Sequence, residues 1–325
     1  RRHLQHASRF HAGIAIRHII KPMSIPKCLE LNGVAVVTGG ASGFGLNVAM
    51  RLVRAGMRGV ALLDVSATEL ASAQPKLGSP SIARGFERNV ADYAACERTA
   101  KAVREEFLGL PVTFLFNNAG ISGRDRGMVM SGDHSQWPQI FSVNVFGAIN
   151  IIKTFVPGMV AAGPLPSGKS CHMVTTSSVV GLMNNNPGPY SVSKMAVTAV
   201  SEQFAIELEE MGEQAAHISP HSLHPTMAAT NFLSGRDAEG KKARSGDRVD
   251  KMVDQMSSLG MFTASQLVDG FFARLDAGDF YIIVDHPLDV PTDDQLAERL
   301  ADQISRQRPR RPRQVFGMMM VQGDQ

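Results

Sequence analysis

Short apolar runs rich in β-branched residues recur along the chain, separated by longer stretches in which apolar positions return every three or four residues. The runs VAVVTG (34–39), GVALLDV (59–65), SIARGF (81–86), VTFLFNN (112–118), CHMVTTSS (171–178), HISPHSLHP (217–225) and FYIIVD (280–285) have the length and composition of strands. Segments 44–56, 92–108, 135–161, 190–212 and 264–277 lie between them with the helical period. Runs that are nearly continuous in apolar residues belong to strands covered on both faces, and intervening helices return the chain for parallel pairing. The pattern predicts an α/β fold: one doubly wound parallel sheet of about seven strands with helices on both faces.

Between 30 and 305 there is no internal repeat and no compositional break of the kind a linker makes, which predicts a single domain over that span. One excursion stands out. Residues 231–262 place a charged, glycine-containing middle between apolar Phe232, Leu233, Met256, Leu259 and Phe262. A long excursion at the C-terminal edge of a parallel sheet is read as a substrate lid.

Composition narrows the class. With 325 residues and 44% hydrophobic content the chain buries a sizeable core. The net charge of +3 conceals three unlike segments: residues 1–29 carry six Lys/Arg and no acid, 306–325 carry five Arg against Asp324, and the body between holds 22 basic and 29 acidic residues. An acidic globule speaks against a nucleic-acid face. The longest apolar run, Val174 to Met183, is broken by Thr175, Thr176, Ser177 and Ser178, so no integral membrane segment is expected. Cys28, Cys96 and Cys171 form no CxxC pair and the ten histidines no HExxH, which predicts free thiols, a reducing compartment and no metal site. The expected location is cytoplasmic, or the mitochondrial matrix if residues 1–22 are a presequence; both the basic 1–29 segment and the Arg/Pro-rich 306–325 segment read as uncovered tails.

Chemistry enters at VAVVTGGASGFGLNVA, a glycine-rich turn between the first strand and the first helix. Gly39 permits a tight turn, Gly43 lets the backbone approach a diphosphate, and Gly45 lets the helix lie close on the strand; the helix N-terminus attracts the anion. Asp64, 19 residues beyond Gly45 at the end of the second strand, stands where a carboxylate accepts hydrogen bonds from an adenosine ribose. A carboxylate there repels a 2′-phosphate, and neither Ala41 and Ser42 nor Val65 and Ser66 supplies a cation, so NAD is favoured over NADP. The same carboxylate could instead cap a helix beginning near Ser66.

TGxxxGxG at Thr38 to Gly45, NNAG at Asn117 to Gly120, Asn144 in SVNVFG, a serine in TSSVVG, and YxxxK at Tyr190 and Lys194 follow one another in an order and spacing that resembles the short-chain dehydrogenase/reductase family, from about Leu31 to Asp285. The resemblance implies a Rossmann-type domain in which Thr38, Gly39, Ser42, Gly43, Phe44, Gly45, Asp64, Asn89, Val90, Asn117, Ala119, Gly120, Pro225 and Thr230, with Tyr190 and Lys194, surround the cofactor. Asn144, Ser178, Tyr190 and Lys194 form its implied catalytic set. Ser177 competes with Ser178, because it lies at the commoner separation of thirteen residues before the tyrosine; the following VVG favours Ser178, and strand alternation turns only one of them to the cleft. Thr226 replaces the glycine usual in the family, and Phe44 replaces a smaller aliphatic but can join the helix–sheet core.

Tyrosine has an ordinary pKa of about 10 and must be lowered to act as a base near neutrality. An ammonium at about 4 Å contributes about 4 kcal/mol at an effective dielectric of 20, and Lys194, four residues on in a helix, shares a face with Tyr190. The expected reaction is therefore NAD-dependent interconversion of a hydrophobic secondary alcohol and its ketone, with Gly181, Leu182, Met183 and Pro187 beside the substrate. An NADPH-dependent carbonyl reductase, through Arg84 or Arg88, and a noncatalytic dinucleotide-binding scaffold are the alternatives. The family further implies a homodimer or homotetramer built through 135–161 and 190–212.

Overall fold

The computed structural model describes residues 26–79, 81–123, 129–182, 188–225, 251 and 264–284. All seven predicted strands are present: β1 (Val34–Thr38), β2 (Gly59–Asp64), β3 (Ala83–Glu87), β4 (Val112–Asn117), β5 (Cys171–Thr176), β6 (Ile218–Pro225) and β7 (Tyr281–Val284). They pair in parallel in the order β3-β2-β1-β4-β5-β6-β7. The chain leaves the β3 edge and returns beside β1 as β4. That reversal opens a crevice at the carboxyl ends of β1 and β4, the place where open α/β sheets bind ligands.

The helices are α1 (Gly43–Arg54), α2 (Ala67–Ala73), α3 (Tyr93–Glu106), α4 (Gln136–Phe141), α5 (Gly147–Ala162), α6 (Pro189–Glu210) and α7 (Ala264–Ala277). Two cores result from the two-residue period of the strands. Ala35, Val37, Phe114, Phe116 and Leu223 face Leu46 and Leu52 of α1, Leu70 of α2 and Phe271 of α7. Val34, Val36, Leu115 and Met173 face Val103 of α3, Ile151, Phe155 and Met159 of α5, and Phe204 and Leu208 of α6. Phe44 joins the first core edge-on, 5.7 Å from Phe116 and 6.0 Å from Phe271 between ring centres, so the larger residue fills a space between helix and sheet.

Three details depart from the sequence reading. The predicted 135–161 helix is α4 and α5 joined by a π-helical turn, Ser142–Phe146, which widens the helix around Asn144. Taken whole, Gln136–Ala162 is long and apolar enough to cross a membrane by length and composition; here Ile151, Phe155 and Met159 are buried in the second core, as in the core helix of a globular domain. Residues 26–29, read as part of the basic tail, are packed onto the domain. Leu29 is fully buried, the Lys27 and Cys28 amides donate to Asp276, and Lys169 Nζ donates to the Leu29 carbonyl. Apart from Lys251, the predicted lid at 231–262 lies outside the described residues, as do residues 306–325.

Candidate active site

The turn after β1 is shaped by its glycines. Gly39 and Gly43 have φ of 61° and 55°, the left-handed region in which a side chain is strained. At Gly45 a Cβ would run into the Gly39 carbonyl oxygen and lie 2.9 Å from Asn118 Nδ2. Ser42 is the N-cap of α1 without a side-chain cap bond, and the first turn carries no acid. The α1 amides and helix dipole therefore face the crevice with no acidic side chain in their own first turn.

The strand ends around the turn are tied together. Thr38 Oγ1, fully buried, accepts from the Asn118 and Ala119 amides at 2.8 and 2.9 Å, and Asn118 Nδ2 donates to the Thr38 carbonyl at 3.1 Å. Asp64 accepts from the Ala41 amide at 3.1 Å and the Ser66 amide at 3.2 Å, which turns its carboxylate toward the glycine-rich turn. The cap of α2 is Ser66, whose Oγ accepts from the Glu69 amide, so the capping alternative for Asp64 is not what the fold uses. Gly45→Ala is expected to destabilise the protein by about 1–3 kcal/mol, the cost of overpacking against fixed backbone, and to weaken dinucleotide binding. Urea unfolding together with calorimetric NADH titration measures both, and wild-type values for each would refute the close approach.

Other predicted cofactor residues are placed unequally. Asn117 is buried and donates to the Ala148 carbonyl at 2.9 Å, joining β4 to α5. Asn89 Oδ1 accepts from the Ala91 amide, forming the turn after β3, and Val90 is buried against the site where a Gly147 Cβ would be. At Gly120 a Cβ would lie 3.2 Å from Asn144 Oδ1 and 3.4 Å from Lys194 Nζ, so the NNAG turn passes directly over those two groups. Pro225 ends β6 opposite Val284. Thr226, Thr230, Met183 and Pro187 lie outside the described residues.

The second cluster gathers at the carboxyl end of β5. Ser178, just past the strand, hydrogen-bonds through its side chain to Tyr190 at the start of α6. Ser177 points the other way: its Oγ donates to the Lys194 carbonyl at 2.8 Å and meets Thr198 Oγ1 at 2.8 Å, buried. Gly181, expected beside the substrate, is instead buried where a Cβ would strike Ser177 Oγ and the Lys194 carbonyl, so its smallness serves the β5–α6 contact. Asn144 accepts from the Ile121 amide at 2.8 Å and donates to the Ile121 carbonyl and to Ser193 Oγ at 3.0 and 2.9 Å. Ser193 Oγ in turn donates to the Tyr190 carbonyl at 2.6 Å. The π turn, the NNAG loop and the first turn of α6 are thus held as one unit.

The electrostatics differ from the sequence expectation. Lys194 is buried, donates from Nζ to the Thr176 carbonyl at 2.7 Å, and lies 5.9 Å from the Tyr190 ring centre. Burial lowers its pKa to about 8. Burial also pushes the Tyr190 phenol up to about 12, against the lowering effect of the Ser178 hydrogen bond. Lys194 alone therefore does not make the phenol acidic, because the enclosure that strengthens its field also disfavours the phenolate. Sequence reasoning passed over Asn118, Ser193 and His224. Asn118 is the second Asn of NNAG and Ser193 an unspecified position of YxxxK, whereas a histidine in a buried strand carries no periodic signal.

The short chain dehydrogenase family profile matches residues 33–239. Among curated proteins, a Cα-dehydrogenase from Sphingobium is 33% identical over 202 residues, a match covering 62% of this chain and 63% of that enzyme, just under two thirds of its length. A crystal structure of a short chain dehydrogenase/reductase from Burkholderia phymatum in complex with NAD superposes with a TM-score of 0.70 at 28% identity, covering 88% of this chain and 99% of that one. A 3-oxoacyl-[acyl-carrier protein] reductase from Brucella melitensis, also in complex with NAD, gives 0.61 at 26% identity, covering 79% and 96%.

Proposed function

Since the chain belongs to the short chain dehydrogenase family, we propose that it interconverts a hydrophobic secondary alcohol and its ketone with NAD as redox partner and Tyr190 as acid and base. The observation that carries this reading is the meeting of the Ser178 hydroxyl and the Tyr190 phenol beside buried Lys194, at the carboxyl end of the sheet. The glycine cradle at 39–45 and the acid-free first turn of α1 fit a diphosphate, and Asp64 stands at the end of β2 where an adenosine ribose would lie.

When bound, the oxidised dinucleotide would supply a hydride acceptor and a positive charge. Bringing Tyr190 from about 12 to near pH 8 takes roughly 5 kcal/mol. One cation at about 4 Å contributes about 4 kcal/mol at an effective dielectric of 20, so Lys194 needs a second positive charge beside it. Tyr190 Oη takes the hydroxyl proton of the alcohol, Ser178 holds the alcohol oxygen, and Lys194 would hold the nicotinamide ribose. Asn144 holds the loop and helix that frame them.

Asp64 supports NAD over NADP by charge. The two arginines near the end of β3 are directed elsewhere: Arg84 pairs with Glu106, and Arg88 Nη1 donates to the Glu87 carbonyl. Calorimetric titration with NADH and NADPH, followed by NADH production from cyclohexanol, phenylethanol and a hydroxysteroid, tests the proposal. NADH is expected to bind more tightly, and Asp64→Ala to weaken it by about 10- to 150-fold, the worth of hydrogen bonds to a charged acceptor. Preference for NADPH would overturn the NAD assignment in favour of carbonyl reduction. Binding of neither would overturn the oxidoreductase reading altogether.

A further inference from the structure

His224, on β6, is not among the residues expected at the site, yet it is fully buried one residue before the end of the strand, behind Ser178. Its Nδ1 lies 3.0 Å from the Ser178 carbonyl oxygen and its Nε2 2.9 Å from Ser222 Oγ. A carbonyl oxygen can only accept, so Nδ1 carries the proton. In the neutral ring Nε2 is then a lone pair, and the Ser222 hydroxyl donates to it. Burial, with the Lys194 ammonium nearby, lowers the His224 pKa to about 4, which keeps the ring neutral across the working range. Only one tautomer satisfies both contacts.

The Ser178 carbonyl is pinned from two sides, since it also accepts from the Gly181 amide at 2.8 Å. On the N-terminal side, the Ser177 amide donates to the Leu223 carbonyl at 2.8 Å. Past that bond Pro225 has no N–H to offer, and the tie between the two strand ends passes to the His224 side chain. With the backbone fixed before and after Ser178, at φ −173° and ψ 162°, the direction of its Cα–Cβ bond is set. We propose that His224 is a positioning residue: through the relay Ser222 Oγ–H to Nε2 and Nδ1–H to the Ser178 carbonyl, it holds the Ser178 hydroxyl against Tyr190. The inference rests on the reading of Ser178 and Tyr190 as the reacting pair. The ring is itself braced by Tyr281, 6.0 Å away between centres, whose hydroxyl donates to Glu202.

Two measurements test it on the full chain. Nitrogen-15 NMR of labelled histidine is expected to show His224 with Nδ1 protonated and Nε2 bare near neutral pH; the opposite tautomer would overturn the relay. In NAD-coupled oxidation of the best alcohol among cyclohexanol, phenylethanol and a hydroxysteroid, His224→Leu is expected to lower kcat/KM about 10- to 100-fold, as misplacement of a reacting group does. NADH affinity should stay unchanged. His224→Asn, whose Nδ2 can replace Nδ1–H, should recover most of the loss. His224→Leu added to Ser178→Ala should cost nothing further, because the two act through one hydroxyl. Additive losses, or failure of Asn to rescue, would overturn the positioning role while leaving the proposed reaction intact. Full activity in Ser178→Ala alone would instead overturn the reading on which the inference rests.

Discussion

Tyr190→Phe is expected to lower kcat/KM for alcohol oxidation by about 10²- to 10⁴-fold, the usual worth of a positioned acid–base group. The ring stays, so α6 packing and the 5.9 Å approach of Lys194 are retained, and NADH affinity should change little. What goes is the oxygen that meets Ser178. The pH profile separates loss of chemistry from a general disturbance. With burial holding the free phenol at about 12, the wild-type rate should rise with pH until the tyrosine of the NAD-bound enzyme ionises, well below that value. In the Phe variant that limb should vanish and the residual rate should follow hydroxide. An undiminished rate in Tyr190→Phe would sink the acid–base assignment and leave NAD binding without this chemistry.

What the sequence made legible, and what it did not, divides along a physical line. Strand runs were legible because burial on both faces leaves almost no polar residue in VAVV or FLF, and the order of TGxxxGxG, NNAG and YxxxK places three motifs at one end of the sheet. The choice of Ser178 over Ser177 rested on the following VVG, because alternation says that they face opposite ways without saying which way α6 lies. The sign of the Tyr190 shift depends on enclosure, which sequence spacing does not contain; four residues of helix bring a lysine near but do not say how much water is excluded. The π turn that presents Asn144 is one residue out of phase with an α-helix and too slight for a period to reveal. His224 and Ser178 meet across 46 positions of chain, and so only the paired strands bring them together.

Acid should destabilise the protein before its carboxylates protonate. His172 and His224 are held to about 4 and His221 is also lowered, in each case chiefly by burial. His172 and His221 are in contact: His221 Nδ1–H donates to the Asp279 carbonyl at 2.7 Å and His172 Nδ1–H to His221 Nε2 at 3.0 Å. The Cys28 carbonyl, 3.4 Å from His172 Nε2, and the Asp276 carboxylate favour a proton there, but burial and the neighbouring His221 outweigh them. From 6.5 down to about 4 the unfolded chain binds protons that the folded rings refuse. Stability is thus fully present above pH 6.5 and drains as pH falls toward 4, by roughly 3 kcal/mol for each of His172 and His224. Together that is comparable with the whole stability of many domains, about 5–15 kcal/mol. Glu30 and Asp276, whose folded pKa values are lowered, add their losses only as pH falls below about 4.5. Urea unfolding at pH 7, 6 and 5 should therefore show a steep decline that His224→Asn shallows by about half. A wild-type stability flat down to pH 5 would mean that these rings are charged in the folded protein, and that the hydrogen-bond directions assigned to them are wrong.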